Sequence, residues 1–191
     1  MTQSTRHAGV SADIHVVRHG QSTWNAVRRI QGQTMHVPLT TVGEQQAQRA
    51  AGQLAGCGAR AVFSSDLRRA VQTALPIAER LGAPLTLDPD LRERSLGEFE
   101  GQHSEEVWSS AHDAWGDPSW RPPGGESVED VCMRVTRFLD QFRTIQDRAP
   151  VVVVTHGDTA VIALGLLRGF SLDALPWTPL GNGEVVTVSA P

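Results

Sequence analysis

Two histidine–glycine pairs occupy positions suited to chemistry. Arg18-His19-Gly20 directly follows the apolar run Ile14-His15-Val16-Val17, and Thr155-His156-Gly157 directly follows Val151-Val152-Val153-Val154. Short β-branched runs read as buried strands, and functional groups in α/β proteins gather where such strands end. Each strand end therefore delivers one imidazole, a group able to act as nucleophile, proton carrier or metal ligand. The metal reading fails on spacing. His15 and His19 lie on an extended segment, about 13 Å apart at roughly 3.3 Å per residue, and no Cys-x-x-Cys or carboxylate pattern supplies further ligands. Adjacent strand residues point to opposite faces, so Arg18 and His19 share a pocket only if the strand has ended by His19. Gly20, free to take a positive φ, makes such a turn easy. A guanidinium beside the ring raises the cost of protonating it and keeps it nucleophilic, and the same guanidinium can hold a phosphate under attack. His7, His103 and His112 lack such surroundings and read as ordinary polar residues.

The charge inventory narrows the chemistry. All 17 basic residues are arginine and the chain has no lysine. A Schiff-base lysine, a pyridoxal site and a phosphate loop ending in Gly-Lys-Ser/Thr are therefore excluded. Any anion must be held by guanidinium forks, imidazoles or backbone amides. A net charge of −4 with no long basic run argues against nucleic acid as partner. The sequence shows no membrane span and no secretion leader, so a cytoplasmic protein is expected. Cys57 and Cys132 read as separate thiols rather than a disulfide.

The elements that must position these groups follow from periodicity. Residues 1–12 read as a loose polar tail and 13–191 as a single domain of 191-residue size class. Thr41-Val42-Gly43-Glu44 has capping-box spacing and opens a helix with apolar positions Ala47, Ala50, Ala51, Leu54 and Ala55. Ala61-Val62-Phe63 reads as a strand. Any of Ser64, Ser65 or Asp66 could cap the following helix, which Pro76 should kink or break. Pro84 to Leu87 is a weak strand, and a helix is expected from Ser104 to about Trp115. The segment 94–125, rich in glycine, tryptophan and acids, reads as a lid. Ser127 opens a helix with Val128, Val131, Cys132, Val135, Phe138, Leu139 and Phe142 on one stripe. Val151 to Thr155 and Glu184 to Ser189 are strands around a helix from Thr159 to Leu167. Strands alternating with helices imply an α/β three-layer sandwich with a mostly parallel central sheet flanked by helices. No spare apolar stripe demands a partner, so a homodimer is left open.

Arg18-His19-Gly20-Gln21-Ser22-Thr23-Trp24-Asn25 resembles the signature of the histidine phosphatase superfamily, also called phosphoglycerate mutase-like. Three further segments match in order: Ser64-Ser65-Asp66-Leu67-Arg68-Arg69-Ala70 with Gln72-Thr73-Ala74, then Leu91-Arg92-Glu93, then Thr155-His156-Gly157. The resemblance implies that His19 is the nucleophile and becomes phosphorylated on a ring nitrogen. It implies that Arg18, Arg68 and His156 bracket the transferred group, with Asn25 adding a donor, and that Glu93 is the general acid. Gly20, Gln21, Ser22, Gln31, Gly32, Glu126 and Gly157 are implied second-tier substrate contacts. Arg28, Arg29, Arg92 and Arg94 read as mainly solvent-facing, and His36 with the tryptophans as core or pocket-mouth residues. No metal or other cofactor is expected, because guanidinium forks and imidazoles can stabilise the loose phosphoryl-transfer transition state. The implied substrate is a small phosphorylated metabolite, such as a phosphosugar or sugar phosphoglycerate. Mutase relatives typically extend the loop after the acid with a tyrosine and a lysine. Here Glu93 is followed by Arg94-Ser95-Leu96-Gly97-Glu98-Phe99-Glu100-Gly101, with neither. A phosphatase is thus favoured over a cofactor-dependent phosphoglycerate mutase, and a non-catalytic phospho-ligand binding module is the third reading.

Overall fold

The computed structural model describes residues 13–110, 115–143 and 149–189. The expected N-terminal tail, His7, His112 and the stretch 111–114 before Trp115 lie outside the described residues. Among those described, five strands form one sheet: β1 (Asp13–Arg18), β2 (Ala61–Ser64), β3 (Leu85–Leu87), β4 (Val151–Thr155) and β5 (Val185–Ser189), in the order β3-β2-β4-β1-β5. β1, β2, β3 and β4 are mutually parallel, and β5 closes the β1 edge antiparallel. The helices are α1 (Thr23–Ala26), α2 (Thr41–Leu54), α3 (Arg68–Leu81), α4 (Ser104–Ser110), α5 (Val128–Arg143) and α6 (Gly157–Leu167).

The central strands are apolar on both faces because both faces are covered. Val17, Val62, Val152 and Val154 pack under α2 and α3 with Ala50, Leu54, Ala70, Ala74 and Ile77. Val16 and Val153 point the other way, onto Val131, Val135 and Phe138 of α5 and Ala160 and Ile162 of α6. A smaller cluster of Ile30, Leu96 and Val107, with Phe99 and Trp115 against it, gathers part of the 94–125 segment beside the sheet end. His15 is tied across β5, its Nδ1 2.8 Å from the Thr187 hydroxyl.

Several local expectations are corrected. The cap of α2 is Thr40, whose Oγ1 accepts from Gly43 N at 3.1 Å. The same hydroxyl donates to Gln21, so this cap is chosen by a tertiary partner. None of Ser64, Ser65 and Asp66 caps α3, which begins after Leu67 without a side-chain cap. Ser65 is engaged with His156 and Asp66 with Arg92. α3 runs on through Pro76, because its buried stripe Ala70, Thr73, Ala74, Ile77 and Ala78 continues on both sides. One turn, α1, forms inside the expected loop through reciprocal bonds between Ser22 and Asn25.

Gly20 is needed for close approach, not for a positive φ, since it is absent from the glycines in that region. A Cβ on Gly20 would stand 2.3 Å from Gly43 O, and one on Gly43 would stand 2.1 Å from Gln21 O. Backbone here meets backbone. Gly20→Ala is therefore expected to cost at least about 1–3 kcal/mol in urea unfolding, through forced backbone displacement. Gly52→Ala, inside α2 with open space around its Cβ, should instead stabilise by about 0.5–1 kcal/mol. Equal effects from the two substitutions would contradict this packing.

Candidate active site

The register of β1 and β4 sets the site. Arg18 pairs with Thr155, so the next residues, His19 and His156, leave the sheet side by side. His19 N still donates to Thr155 O at 2.9 Å. The two rings meet edge to face with centroids 5.0 Å apart. Both residues are almost fully enclosed, at 2% and 0% exposure.

The hydrogen bonds orient both rings. His19 Nδ1 lies 2.7 Å from Gly20 O, and a carbonyl only accepts, so Nδ1 carries the hydrogen and Nε2 keeps its lone pair. Burial first, then Arg69 and Arg18, hold the His19 ring well below the ordinary histidine range, although Gly20 O pulls the other way. The ring is neutral at physiological pH. His156 Nε2 lies 2.8 Å from Ser65 Oγ. That oxygen also accepts from Leu67 N at 3.2 Å; when its own hydrogen points to Nε2, the ring hydrogen of His156 lies on Nδ1. Burial, then Arg69, His19, Arg134 and Arg18, lower its basicity as well. Nδ1 of His156 is buried without a hydrogen-bond partner, as are Nε of Arg18 and Nε of Arg69. Buried donors without acceptors are costly in a finished core. Here they surround a place for an anion.

A pocket of about 230 Å³ opens beside these groups. Its lining includes the basic residues Arg18, Arg28, Arg29, Arg69 and Arg94 and the acidic residues Glu93 and Asp158. Arg18 is anchored by Nη1 on Leu180 O. Arg69 is wholly buried and anchored on Thr34 O at 3.0 Å and Gly32 O at 2.7 Å. Burial pushes its pKa down to about 10, with Glu93 and Glu100 resisting, so it remains a cation at neutral pH. Among the described residues no three His, Cys, Asp or Glu side chains group to hold a metal ion.

Glu93 reaches the pocket from the turn after Leu91. Its Oε2 accepts from Gly157 N at 2.8 Å and Asp158 N at 3.4 Å, and its Oε1 from Arg94 N at 3.0 Å and Thr159 N at 3.3 Å. The carboxyl thereby satisfies the first turn of α6, whose own cap residue, His156, makes no side-chain cap bond. Asp158 stands one residue into that turn. Burial, then the neighbouring Glu93, push its carboxyl up to about 7 against the pull of Arg94 and Arg18.

Of the residues expected from sequence, Arg18, His19, Asn25, Gln31, Gly32 and Glu93 line the pocket, and His156 packs on His19. Asn25 Oδ1 accepts from Ser22 N at 3.0 Å, and Gln31 Oε1 from Ser22 Oγ at 2.6 Å. Ser22 therefore supports the pocket wall from behind, whereas Gly20 N donates to Thr73 and Gln21 N to Gln46, outside the pocket lining. Gly157 meets the site through its N–H on Glu93. Glu126 serves the wall too: it accepts from Ser95 N at 2.9 Å, Gln33 Nε2 at 3.1 Å and Arg134.

Arg68 is the main correction. It is exposed, and its neighbour Arg69 occupies the inside position. Helical spacing puts residue 69 on the stripe of Thr73 and Ile77, whereas residue 68 shares a face with Gln72 and Leu75. Arg94, expected at the surface, is buried at 3% exposure and lies over Trp115 and Trp120 at 5.6 and 5.8 Å. Arg92 forks onto Asp66 at 2.7 and 2.5 Å, away from the pocket. Trp108 supplies the aromatic lining of the pocket, and Trp24 stacks edge-on with His36. Sequence reasoning missed Arg69, Ser65, Arg94 and Asp158. The stripe argument could have found Arg69; Asp158 needed only its place beside His156.

The comparisons agree with this arrangement. The model of the histidine phosphatase superfamily (branch 1) matches residues 14–190. Glucosyl-3-phosphoglycerate phosphatase of Mycolicibacterium vanbaalenii is 39% identical over 179 residues, spanning 87% of this chain and 78% of the relative. The Enterobacter sp. (strain 638) protein named "Probable phosphoglycerate mutase GpmB" is 38% identical over 160 residues, spanning 81% and 72%. Among solved structures, mycobacterial glucosyl-3-phosphoglycerate phosphatase in complex with VO3 superposes with a TM-score of 0.85 at 32% identity, over 93% of this chain and 92% of that one. With the paired imidazoles and their arginines inside the matched span, this chain belongs to branch 1 of the histidine phosphatase superfamily.

Proposed function

We propose that this protein is a phosphomonoester phosphatase that works through a phosphohistidine on His19, without a metal ion, on small phosphorylated metabolites. The observation that carries the reading is a neutral His19 ring, fixed by Gly20 O so that Nε2 keeps its lone pair, beside three buried nitrogens that lack partners, Nε of Arg18, Nε of Arg69 and Nδ1 of His156. In this reading Nε2 attacks phosphorus. Arg18, Arg69 and His156 Nδ1 neutralise charge on the equatorial oxygens, and Asn25 contributes its amide. Phosphoryl transfer asks little more of a protein than alignment and charge stabilisation, so two guanidinium groups can do what magnesium does elsewhere. The leaving oxygen takes a proton from the acidic corner of the pocket, where Glu93, the acid expected from sequence, lies beside Asp158. Water then cleaves the phosphohistidine.

Phosphosugars and sugar phosphoglycerates are the finer substrate class we favour, given the phosphatase relative and the arginine-lined pocket with Trp108 in its wall. The segment 94–125, which brings Arg94, Leu96 and Trp108 to the pocket, sets that specificity. We infer a cytoplasmic protein: no described helix is long and apolar enough to cross a membrane, and both cysteines are free thiols. A second reading, phosphoglycerate mutase, is favoured by the GpmB relatives. The loop after Glu93 weighs against it.

His19→Ala is expected to reduce hydrolysis of p-nitrophenyl phosphate to background, while EDTA leaves the unaltered protein active; loss of turnover with EDTA would contradict the metal-free chemistry. The lowered basicity of His19 keeps the nucleophile neutral as pH falls, so the acid limb of kcat/KM should lie below the ordinary histidine value of 6.5. Arg69→Ala should lower kcat by about 10²- to 10³-fold, and Arg68→Ala should leave it nearly unchanged. The reverse order would return the clamp to Arg68. With 3-phosphoglycerate and a bisphosphoglycerate primer, free phosphate should appear faster than 2-phosphoglycerate; the opposite ratio supports the mutase.

A further inference from the structure

The buried cation Arg69 is anchored on two carbonyls of one short turn, Gly32 O at 2.7 Å and Thr34 O at 3.0 Å. Thr34 N closes that turn on Gln31 O at 2.9 Å. What fixes the carbonyls lies on the turn's other side. Ile30 N donates to Gln102 O at 3.0 Å and Ile30 O accepts from Gly101 N at 2.9 Å, which brings residue 100 alongside 32–34. There Glu100 Oε1 accepts from Gln33 N at 3.0 Å, and Oε2 from Thr34 Oγ1 at 2.9 Å. Oε1 also takes Leu96 N at 3.1 Å and Ser95 Oγ at 3.3 Å. The fit is close: a Cβ on Gly32 would stand 2.1 Å from Oε1.

Gly32 O and Gln33 N belong to one peptide unit. The described residues contain no cis bond, and in a trans peptide the C=O and N–H point opposite ways. This unit therefore stands between a guanidinium and a carboxylate with its dipole aligned to both, and hydrogen bonds in such a chain strengthen one another. Gly32 has φ +43°, a value shared by two turn forms that differ by a flip of their central peptide. The flipped form would turn the Gly32 carbonyl away from Arg69 and present an N–H to it. A carboxylate on Gln33 N selects against that form.

We propose that Glu100 is a positioning residue for phosphoryl transfer: it locks the peptide between Gly32 and Gln33 so that the Gly32 and Thr34 carbonyls hold Arg69 in place for the transferred group. The proposal rests on the phosphatase reading and on the clamp role of Arg69 within it. Glu100 acts only through Arg69, since Arg69 lines the pocket and Glu100 does not. Its charge works in the same direction, because Glu93 and Glu100 are the carboxylates that help Arg69 stay a cation in its buried seat. The plainer alternative is that Glu100 only pins the segment after Glu93, through Ser95 and Leu96, with no route to the clamp.

Three substitutions at one position, each made with and without Arg69→Ala, test the route. Glu100→Gln keeps an acceptor for Gln33 N without the charge, whereas Glu100→Asp keeps the charge but falls a methylene short. Glu100→Gln should hold kcat for p-nitrophenyl phosphate within about threefold, while Glu100→Asp and Glu100→Ala should lower it about 10- to 10²-fold, the cost of misplacing an aligned group by about 1 Å. Beside Arg69→Ala the same changes should cost less than about threefold more, because the group they position is gone. A purely structural role would not give that pattern: its stability loss in urea unfolding persists in both backgrounds. Thr34→Val removes only the Oε2 bond and carries the same cycle where a Glu100 variant does not fold, with an expected kcat loss of about three- to tenfold. Full activity in Glu100→Ala or in Thr34→Val, Glu100→Gln losing as much as Glu100→Ala, or losses that multiply with that of Arg69→Ala would each overturn the assignment. Turnover of p-nitrophenyl phosphate by the unaltered protein, lost in His19→Ala, reports on the phosphatase reading alone, and Arg69→Ala alone reports on the clamp. If either of these fails, the parent reading has failed and Glu100 falls with it.

Discussion

The in-register pairing of β1 with β4 is the constraint on which the site depends. Arg18 lies opposite Thr155, and His19 N extends the ladder to Thr155 O, so the imidazoles of His19 and His156 are neighbours before any loop is considered. Register in a parallel pair is held by burial on both faces. Val16, Val17, Val152 and Val154 are fully enclosed, each contributing about 1.5–3 kcal/mol relative to exposure. A slip of one residue would turn every one of these side chains to the wrong face and separate the rings. The interlock of Gly20 with Gly43 then holds the chain leaving β1 against α2. Packing in the sheet and geometry at the site are one problem.

Charge at the site is arranged to await an anion. Arg69 is a buried cation held only by two carbonyls, and among the described residues no carboxylate lies at ion-pair distance from it. Such a cation costs stability in the empty protein. Burial, helped by its field and that of Arg18, keeps His19 and His156 neutral, so the nucleophile is ready and the second ring can donate. An anion entering the pocket meets donors whose orientation is already fixed. Arg94, seated on Trp115 and Trp120 and anchored to Glu126 O at 2.8 Å, continues the positive wall outward.

Much of this was legible in the sequence. The strands announced themselves as β-branched runs, and the two His-Gly pairs marked their ends. The three-layer arrangement followed from alternation. What escaped depended on contacts between distant segments. Thr40 rather than Thr41 caps α2 because Gln21 is within reach, and Pro76 sits inside α3 because packing outweighs the local cost. Arg68 and Arg69 are equivalent to a motif but not to a helix with one buried stripe. Glu93 was legible as a functional carboxyl, whereas its four backbone partners come from Arg94 and from the turn after His156. Asp158 acquires its character only from that company.

The most direct measurement is to quench the protein during turnover and locate the phosphoryl group by ³¹P and ¹⁵N NMR. The account predicts a single acid-labile phosphate on Nε2 of His19, because Nδ1 of that ring is committed to Gly20 O. Phosphate on Nδ1, phosphate on His156, or turnover with no phosphohistidine at all would contradict it.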